Sequence, residues 1–321
     1  GESSPVTPPA EDALEAALRA AFGGDESSGA SDDASGTRRY TILGEIARGG
    51  FGIVVRAVDH DLGREVALKI LRPEFQTSPR LSAALAHEGD IIGYLNERHP
   101  DEIVVTLKGR GTLRDRGTDH PYLLLEYVDG VDLKSYVRSK GALEESECLE
   151  VVSEVGRALV AIHSDGFVHG DISPENILRL HDAPALLAER PGSARRLYRL
   201  IDFGDAHRHE DGARAPEIAG KPAFLSPEQA RGFLGSPASD IYGLGMVLFF
   251  LRAGRPAFES PNALDLLRMH ERNEIVYPAS FSLELRRLIG RMCRKLPSGR
   301  IPAARVVELV NGIRNGAPSR A

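Results

Sequence analysis

Between Arg38 and Tyr127 apolar residues alternate with polar ones and glycine-containing turns interrupt them, as in YTILGEIARGGFGIVVRAV and REVALKIL. A period of two predicts strands, and one helical stretch is predicted over Pro79 to Asn96. From Leu133 to Ile313 the period lengthens to that of a helix. SECLEVVSEVGRALVAIHSDG and SDIYGLGMVLFFLRAG each run to a terminal Gly, a common helix stop. The expectation is an α+β chain, with a small β-rich unit over residues 38–128 and a larger α-helical one over 129–314. The apolar patch from Leu244 to Leu251 is too short to cross a bilayer and reads as a buried helix segment. No internal repeat is visible.

The ends of the chain differ from this body. In EDALEAALRAAF, Leu14, Leu18 and Phe22 fall four apart on one helical face, a short amphipathic pattern that needs something to dock on. Two readings stay open for residues 11–22: packing back on its own domain, or docking a partner and regulating. Gly23 to Gly36 (GGDESSGASDDASG) is a polar linker, expected to be flexible. Residues 315–321 read as a tail. Acidic residues where a secretory leader is basic argue against such a leader. The first residue is Gly rather than Met, which leaves the natural start open.

Composition narrows the classes. With 321 residues, 42% hydrophobic, and a net charge of −6, the chain suits a soluble globular protein with a sizeable core. No membrane span is expected. Six per cent aromatics, no Trp and an acidic balance supply neither a basic stripe nor a stacking platform, so a nucleic-acid partner is disfavoured. Cys148 and Cys293 lie far apart without metal-type spacing and read as buried thiols in a reducing compartment. A cytoplasmic location is expected.

Chemistry concentrates in a few stretches. Gly49, Gly50 and Gly52, with Phe51, form a hairpin tip where backbone N–H groups can approach phosphate oxygens; such tips are also commonly plain turns. Lys69 follows on a strand, in VALK, and Glu88 on the next helix is a carboxylate able to hold its ammonium. Later comes HGDISPENIL, where Asp171 and Asn176 are either loop residues or a proton acceptor and a metal ligand. The strand LYRLIDFG then brings Asp202, a second hard oxygen ligand. GKPAFLSPEQARG, SDIYGLG and KLPSGR complete the series.

In their order and spacing, the glycine loop, VALK, HxDxxxxN, DFG and SPE resemble the bacterial Hanks-type, eukaryotic-like Ser/Thr protein kinases from about Tyr40 to Ile313. The resemblance implies the bilobal protein-kinase fold, with ATP and Mg2+ as cofactors and a protein substrate. It implies that Lys69 pairs with Glu88 and the α/β-phosphates, that Asn176 and Asp202 hold Mg2+, and that Asp171 orients the substrate hydroxyl. Around the nucleotide it implies Ala47, Gly49, Gly50, Gly52, Val54 and Ala67. Leu125 is the expected gatekeeper, Glu126 to Val128 the adenine-binding hinge, and Asp132 a ribose contact. Glu228 and Arg300 resemble the ion pair that ties the substrate-binding segment down, and Asp240 the acid that supports the catalytic loop. Glu175 matches a position that contacts basic residues near the target Ser or Thr.

Departures from the family pattern are informative. Ala47 replaces the first glycine of the loop. Gly170 stands where many such kinases have the Arg that reads a phosphorylated activation loop, and Asp205 to Leu225 contains no Ser, Thr or Tyr. The expectation is activity that does not depend on activation-loop phosphorylation, with Glu210, Asp211 and Glu217 as weak stand-ins. Ser173 replaces a Lys, and Lys221 replaces a Thr, that meet at the catalytic Asp. Either the two groups have exchanged places, or the Lys is lost and Lys221 is a solvated loop residue. His181 to Leu197 is an insertion; with the two residues after it (181–199) it carries Arg190, Arg195, Arg196 and Arg199, and reads as an enlarged surface loop or a docking patch for an acidic partner. Ser27, Ser28, Ser31, Ser35 and Thr37 offer autophosphorylation sites. The alternatives to a kinase are a pseudokinase scaffold that binds nucleotide or a partner, favoured by Ala47 and Ser173, and a small-molecule kinase.

Overall fold

The computed structural model describes residues 39–100, 104–115, 118–181, 197–210, 212–215 and 220–316. The expected helix at 11–22, the linker, the serines of the N-terminal segment, residues 182–196 of the insertion, Asp211 and Glu217 lie outside the described residues.

Two compact units divide the chain, one comprising residues up to Gly93 with Thr106–Tyr127, the other Tyr94–Val105 with Val128 onward. In the first, strands β1 (Tyr40–Arg48), β2 (Gly52–Asp59), β3 (Arg64–Leu71), β4 (Leu107–Asp115) and β5 (Thr118–Glu126) form one antiparallel sheet in the order β1-β2-β3-β5-β4. The alternation read from the sequence is seen in β2, which buries Ile53, Val55 and Ala57 and turns the intervening residues outward. These three join Tyr40, Val66, Leu68, Ile70, Tyr122 and Leu124 in one cluster. Each fully buried Val, Leu or Ile there contributes about 1.5–3 kcal/mol relative to exposure. The predicted helix runs Pro79–Arg98, two residues past the expected end. Gly89 lets it lie close to the sheet, since a Cβ at this position would stand 2.7 Å from Leu123 Cδ2.

Tyr94–Val105 belongs to the second unit for a physical reason. Tyr94 stacks edge-on to Phe167, Arg98 and His99 both pair with Asp165, and Val104 bridges to Leu200. The core of this unit is the helix Pro237–Ala253, whose residues from Ser239 to Leu251 are all buried. An apolar surface all round is what a central helix requires. Its ends follow the sequence signals: Ser236 caps the first turn, and Gly254 at φ +72° closes the last. Helix Glu145–Ser164 packs against it and against Ala303–Arg314, where Gly156 admits Val307. Cys148 and Cys293 are free and buried, and burial pushes both thiols up to about 12. Among the described residues no helix is long and apolar enough to cross a membrane.

Two small sheets carry the loops that matter. Strands β6 (Gly130–Asp132), β8 (Ile177–Leu180) and β9 (Tyr198–Leu200) form one, and β7 (Phe167–Val168) pairs with β10 (His207–Arg208). The insertion thus leaves from β8 and returns into its partner β9. The buried Glu154 fixes the return by accepting the Leu197 and Tyr198 N–H groups at 3.0 and 3.3 Å.

Candidate active site

In the β unit, the turn Gly49–Phe51 joins β1 to β2, with Gly49 N–H donating to Gly52 C=O at 2.8 Å. Arg72 holds the turn from behind, donating through its guanidinium to Gly50 C=O at 3.0 Å and through its N–H to Phe51 C=O. Gly52 admits the chain beneath it: a Cβ there would meet Ile70 C=O at 3.2 Å and Lys69 Cε at 3.7 Å. Ala47 is exposed on β1 and pairs in register with Val54, which in turn faces Lys69 on β3. The Lys69 ammonium contacts Glu88 Oε1 at 2.7 Å, with Glu88 buried on the helix. Ala67 and Leu125 are buried and register-paired across β3 and β5. Glu126 is fastened at both ends, its N–H donating to Thr106 C=O and its carboxylate accepting Thr106 N–H at 3.0 Å.

In the helical unit, the catalytic-loop segment hangs from Asp240. Its carboxylate accepts the His169 and Gly170 N–H groups at 2.9 Å each and pairs with His163 Nε2 at 2.8 Å. Burial works against this charge, yet the His163 hydrogen bond and its fellows hold Asp240 below the usual carboxylate range. Gly170 adopts φ +85°, and a Cβ there would stand 2.6 Å from Asp205 C=O. In this loop conformation the position suits glycine. Its carbonyl is secured by Gln229 Nε2 at 2.8 Å, and Gln229 itself closes a capping box with Ser226.

Asp171 stands at the end of this scaffold, buried. The Asn176 amide donates to its Oδ2 at 2.9 Å and to its backbone carbonyl at 2.8 Å, so the five-residue spacing brings the two side chains together. Lys221 reaches the same carboxylate twice, with Nζ at 2.8 Å from Oδ2 and its N–H at 3.2 Å from Oδ1. Burial opposes the ammonium, but Asp171 outweighs it and raises Lys221. Lys221 is thus placed against Asp171 rather than free in solvent, while Ser173 is fully buried and its Oγ has no hydrogen-bond partner.

Asp202 has φ +62°, the one non-glycine residue with positive φ among the described residues. Holding an Asp there costs about 1–3 kcal/mol, and such strain gathers at functional positions. Asp205, which the sequence reading passed over, is pushed up by desolvation and then by the Asp171 and Asp202 carboxylates. The charges of Asp171 and Asp202 are thus felt at Asp205. No cluster of three or more metal-binding side chains is preformed among the described residues.

Two expectations meet competing roles. Asp132 Oδ1 accepts Ser135 N–H at 2.8 Å and caps helix Leu133–Lys140. Glu175, expected to face basic substrate residues, carries an ion pair with Lys134 at 2.6 Å. Val128 is the first residue of the second stretch of the helical unit. Glu228 and Arg300 do pair, bidentately at 2.6 and 2.7 Å. Sequence reasoning missed Gln229, although S-x-x-Q is a capping-box signal, and missed Gly89, Glu154 and Lys134, for which it holds no local sign.

A glycine hairpin backed by a Lys–Glu pair, and an Asp–Asn loop hung from a buried acid, are the working parts of the phosphoryl-transfer folds. The chain belongs to the protein kinase family: the protein kinase domain matches residues 40–310. It is 31% identical over 265 residues to a serine/threonine-protein kinase of Corynebacterium efficiens, covering 81% of this chain and 48% of that protein. It is 30% identical over 293 residues to serine/threonine-protein kinase PknB of Mycobacterium tuberculosis, covering 88% and 44%. To PknA of the same species it is 33% identical over 235 residues, covering 72% and 51%. The chain thus spans about half the length of the curated relatives it matches.

Proposed function

We propose that this chain is an active protein serine/threonine kinase, dependent on ATP and Mg2+, acting in the cytoplasm without activation-loop phosphorylation. The observation that carries the reading is the Lys221 ammonium on the Asp171 carboxylate at 2.8 Å, beside the Asn176 amide at 2.9 Å. Bound Mg–ATP supplies the phosphoryl group and neutralises its charge. Lys69, steadied by Glu88, binds phosphate oxygens, and Asn176 and Asp202 hold the metal. Leu125, Glu126 and Val128 receive the base, and Asp132 contacts the ribose. Asp171 orients the substrate hydroxyl and accepts its proton at a carboxylate oxygen. Lys221 supplies the cation that Ser173 lacks, positioned where negative charge grows during transfer.

Independence from phosphorylation is supported by two features. Asp205 to Leu225 has no hydroxyl residue to modify, and Gly170 is held at both its N–H and its C=O by protein groups, Asp240 and Gln229. A pseudokinase reading draws on the buried, unpartnered Ser173 hydroxyl. A small-molecule kinase is opposed by the Glu228–Arg300 pair, which secures a segment suited to peptide binding.

The test is Mg–ATP phosphoryl transfer to the protein itself and to generic protein substrates, with Lys221→Ala and Asp171→Asn compared with wild type. Lys221→Ala is expected to lower kcat by about 100-fold with little change in Tm. Wild-type transfer in Lys221→Ala, or a large fall in rate after phosphatase treatment, would contradict the proposal; ATP binding without transfer in the wild type would favour the pseudokinase.

A further inference from the structure

Glu175 lies in the turn Pro174–Asn176, between the Asp171 and Asn176 side chains that meet each other. Its Oε1 takes the Lys134 ammonium at 2.6 Å. Its Oε2 is sealed from solvent and has no hydrogen-bond donor. A substrate guanidinium binds a carboxylate best through both oxygens, and here Oε2 is closed to it and Oε1 already holds Lys134. Lys134 itself stays 48% exposed. It opens the helix Leu133–Lys140, whose charged residues are Lys134, Arg138 and Lys140, all exposed and all basic. Lys134 and Arg138 share a face at i, i+4 spacing. The acid nearby, Glu147, is engaged by the Tyr136 hydroxyl at 3.0 Å and by Arg179 at 3.7 Å.

Resting on the kinase reading above, we propose that Lys134 determines substrate specificity: it neutralises Glu175 and presents a basic helix, so that the chain selects segments with carboxylates, rather than arginines, upstream of the target hydroxyl. A retained Glu175 without Lys134 would favour the opposite class. The chain carries a segment of the selected chemistry in its own sequence, GGDESSGASDDASG over Gly23 to Gly36, where Asp25 and Glu26 precede Ser27 and Asp32 and Asp33 precede Ser35.

The test measures peptide binding in the absence of ATP, by fluorescence anisotropy. One probe is the peptide of residues 23–37; the other has Asp25, Glu26, Asp32 and Asp33 each replaced by Arg. Wild type should prefer the acidic peptide. Lys134→Ala should shift the ratio of the two affinities toward the Arg peptide by about tenfold, the scale of one charge-assisted fork. Lys134→Ala combined with Glu175→Gln should abolish that gain. An unchanged ratio in Lys134→Ala, equally weak binding of both peptides throughout, or a gain that survives Glu175→Gln overturns the inference. Because binding needs no turnover, a protein that shows the switch yet transfers no phosphate upholds the role of Lys134 and counts against the kinase reading alone.

Discussion

Replacing Glu228 with Ala removes the carboxylate from the most completely satisfied ion pair in the helical unit. Arg300 has a side chain with 0% exposure. Two of its N–H groups serve Glu228, while others go to the carbonyls of Arg294, Ala238 and Lys295, and the guanidinium lies over the Tyr242 ring. Ser239 adds a 2.6 Å hydrogen bond to Glu228. Without Glu228 a buried charge keeps its place and loses its counter-ion, which costs about 3–5 kcal/mol. At about 2–4 °C per kcal/mol for a unit of this size, Tm should fall by roughly 10 °C. The pair also imposes a pH dependence. Burial raises Glu228, but the Arg300 hydrogen bonds override it and leave its pKa below the ordinary 4.5. A depressed carboxylate contributes stability that is complete above the unfolded-state value and lost as pH falls through the folded one. Wild type should therefore lose stability below about pH 4.5, and Glu228→Ala should lack that component. Glu228→Ala with Arg300→Met should recover part of the loss, because no charge is then stranded. Thermal and urea unfolding of the variants measure this. A Tm fall of under about 2 °C, or a double variant worse than the sum of the singles, would refute the reasoning.

Glu154 gives the opposite pH sign: burial pushes it up despite the Leu197 and Tyr198 N–H groups. A raised acid contributes stability that is present below the unfolded pKa and lost as pH rises through the folded one, so wild type should lose ground to Glu154→Gln as pH rises above the ordinary Glu value of about 4.3; a difference in denaturation midpoints that stays constant with pH would contradict this. Gly89→Val should destabilise the β unit by about 1–3 kcal/mol through overpacking against Leu123, and by shifting Glu88 should weaken ATP binding, read by calorimetry. Unchanged stability and affinity would mean that the helix adjusts at no cost.

How much of this was legible depended on whether the partners of a residue are announced locally. Strand alternation, the glycine stops and the buried run from Leu244 to Leu251 follow from periodicity and capping, and the helices ended where Gly166 and Gly254 adopt positive φ. Asp171 and Asn176 sit on one loop, so their meeting is short-range. Lys69 with Glu88, Glu228 with Arg300, and Asp240 with the loop it supports were reached through resemblance to a family, since nothing local says that residues 72 apart will touch. Where this chain differs from its family, that route fails. Lys134 and Glu175 are separated by 41 residues, and nothing near Gly170 announces the Asp205 carbonyl that a Cβ there would meet at 2.6 Å.

The Ser173–Lys221 pairing shows what such a gap costs. From sequence, an exchange of ammonium and hydroxyl looks symmetrical, each group taking the other's place at Asp171. The Lys221 backbone, however, already lies at Asp171, its N–H 3.2 Å from Oδ1, and its side chain adds an ammonium to Oδ2, whereas a Ser hydroxyl extends only one bond beyond its Cβ. Ser173 is therefore buried with its hydroxyl unmet, and Asp171 takes its hydrogen bonds from Asn176 and from both the N–H and the ammonium of Lys221. A cation thus sits on Asp171, where the Ser173 hydroxyl makes no contact. If the kinase reading holds, Ser173→Ala should then leave transfer near wild type while Lys221→Ala abolishes most of it, an asymmetry in kcat that a true two-way exchange could not produce.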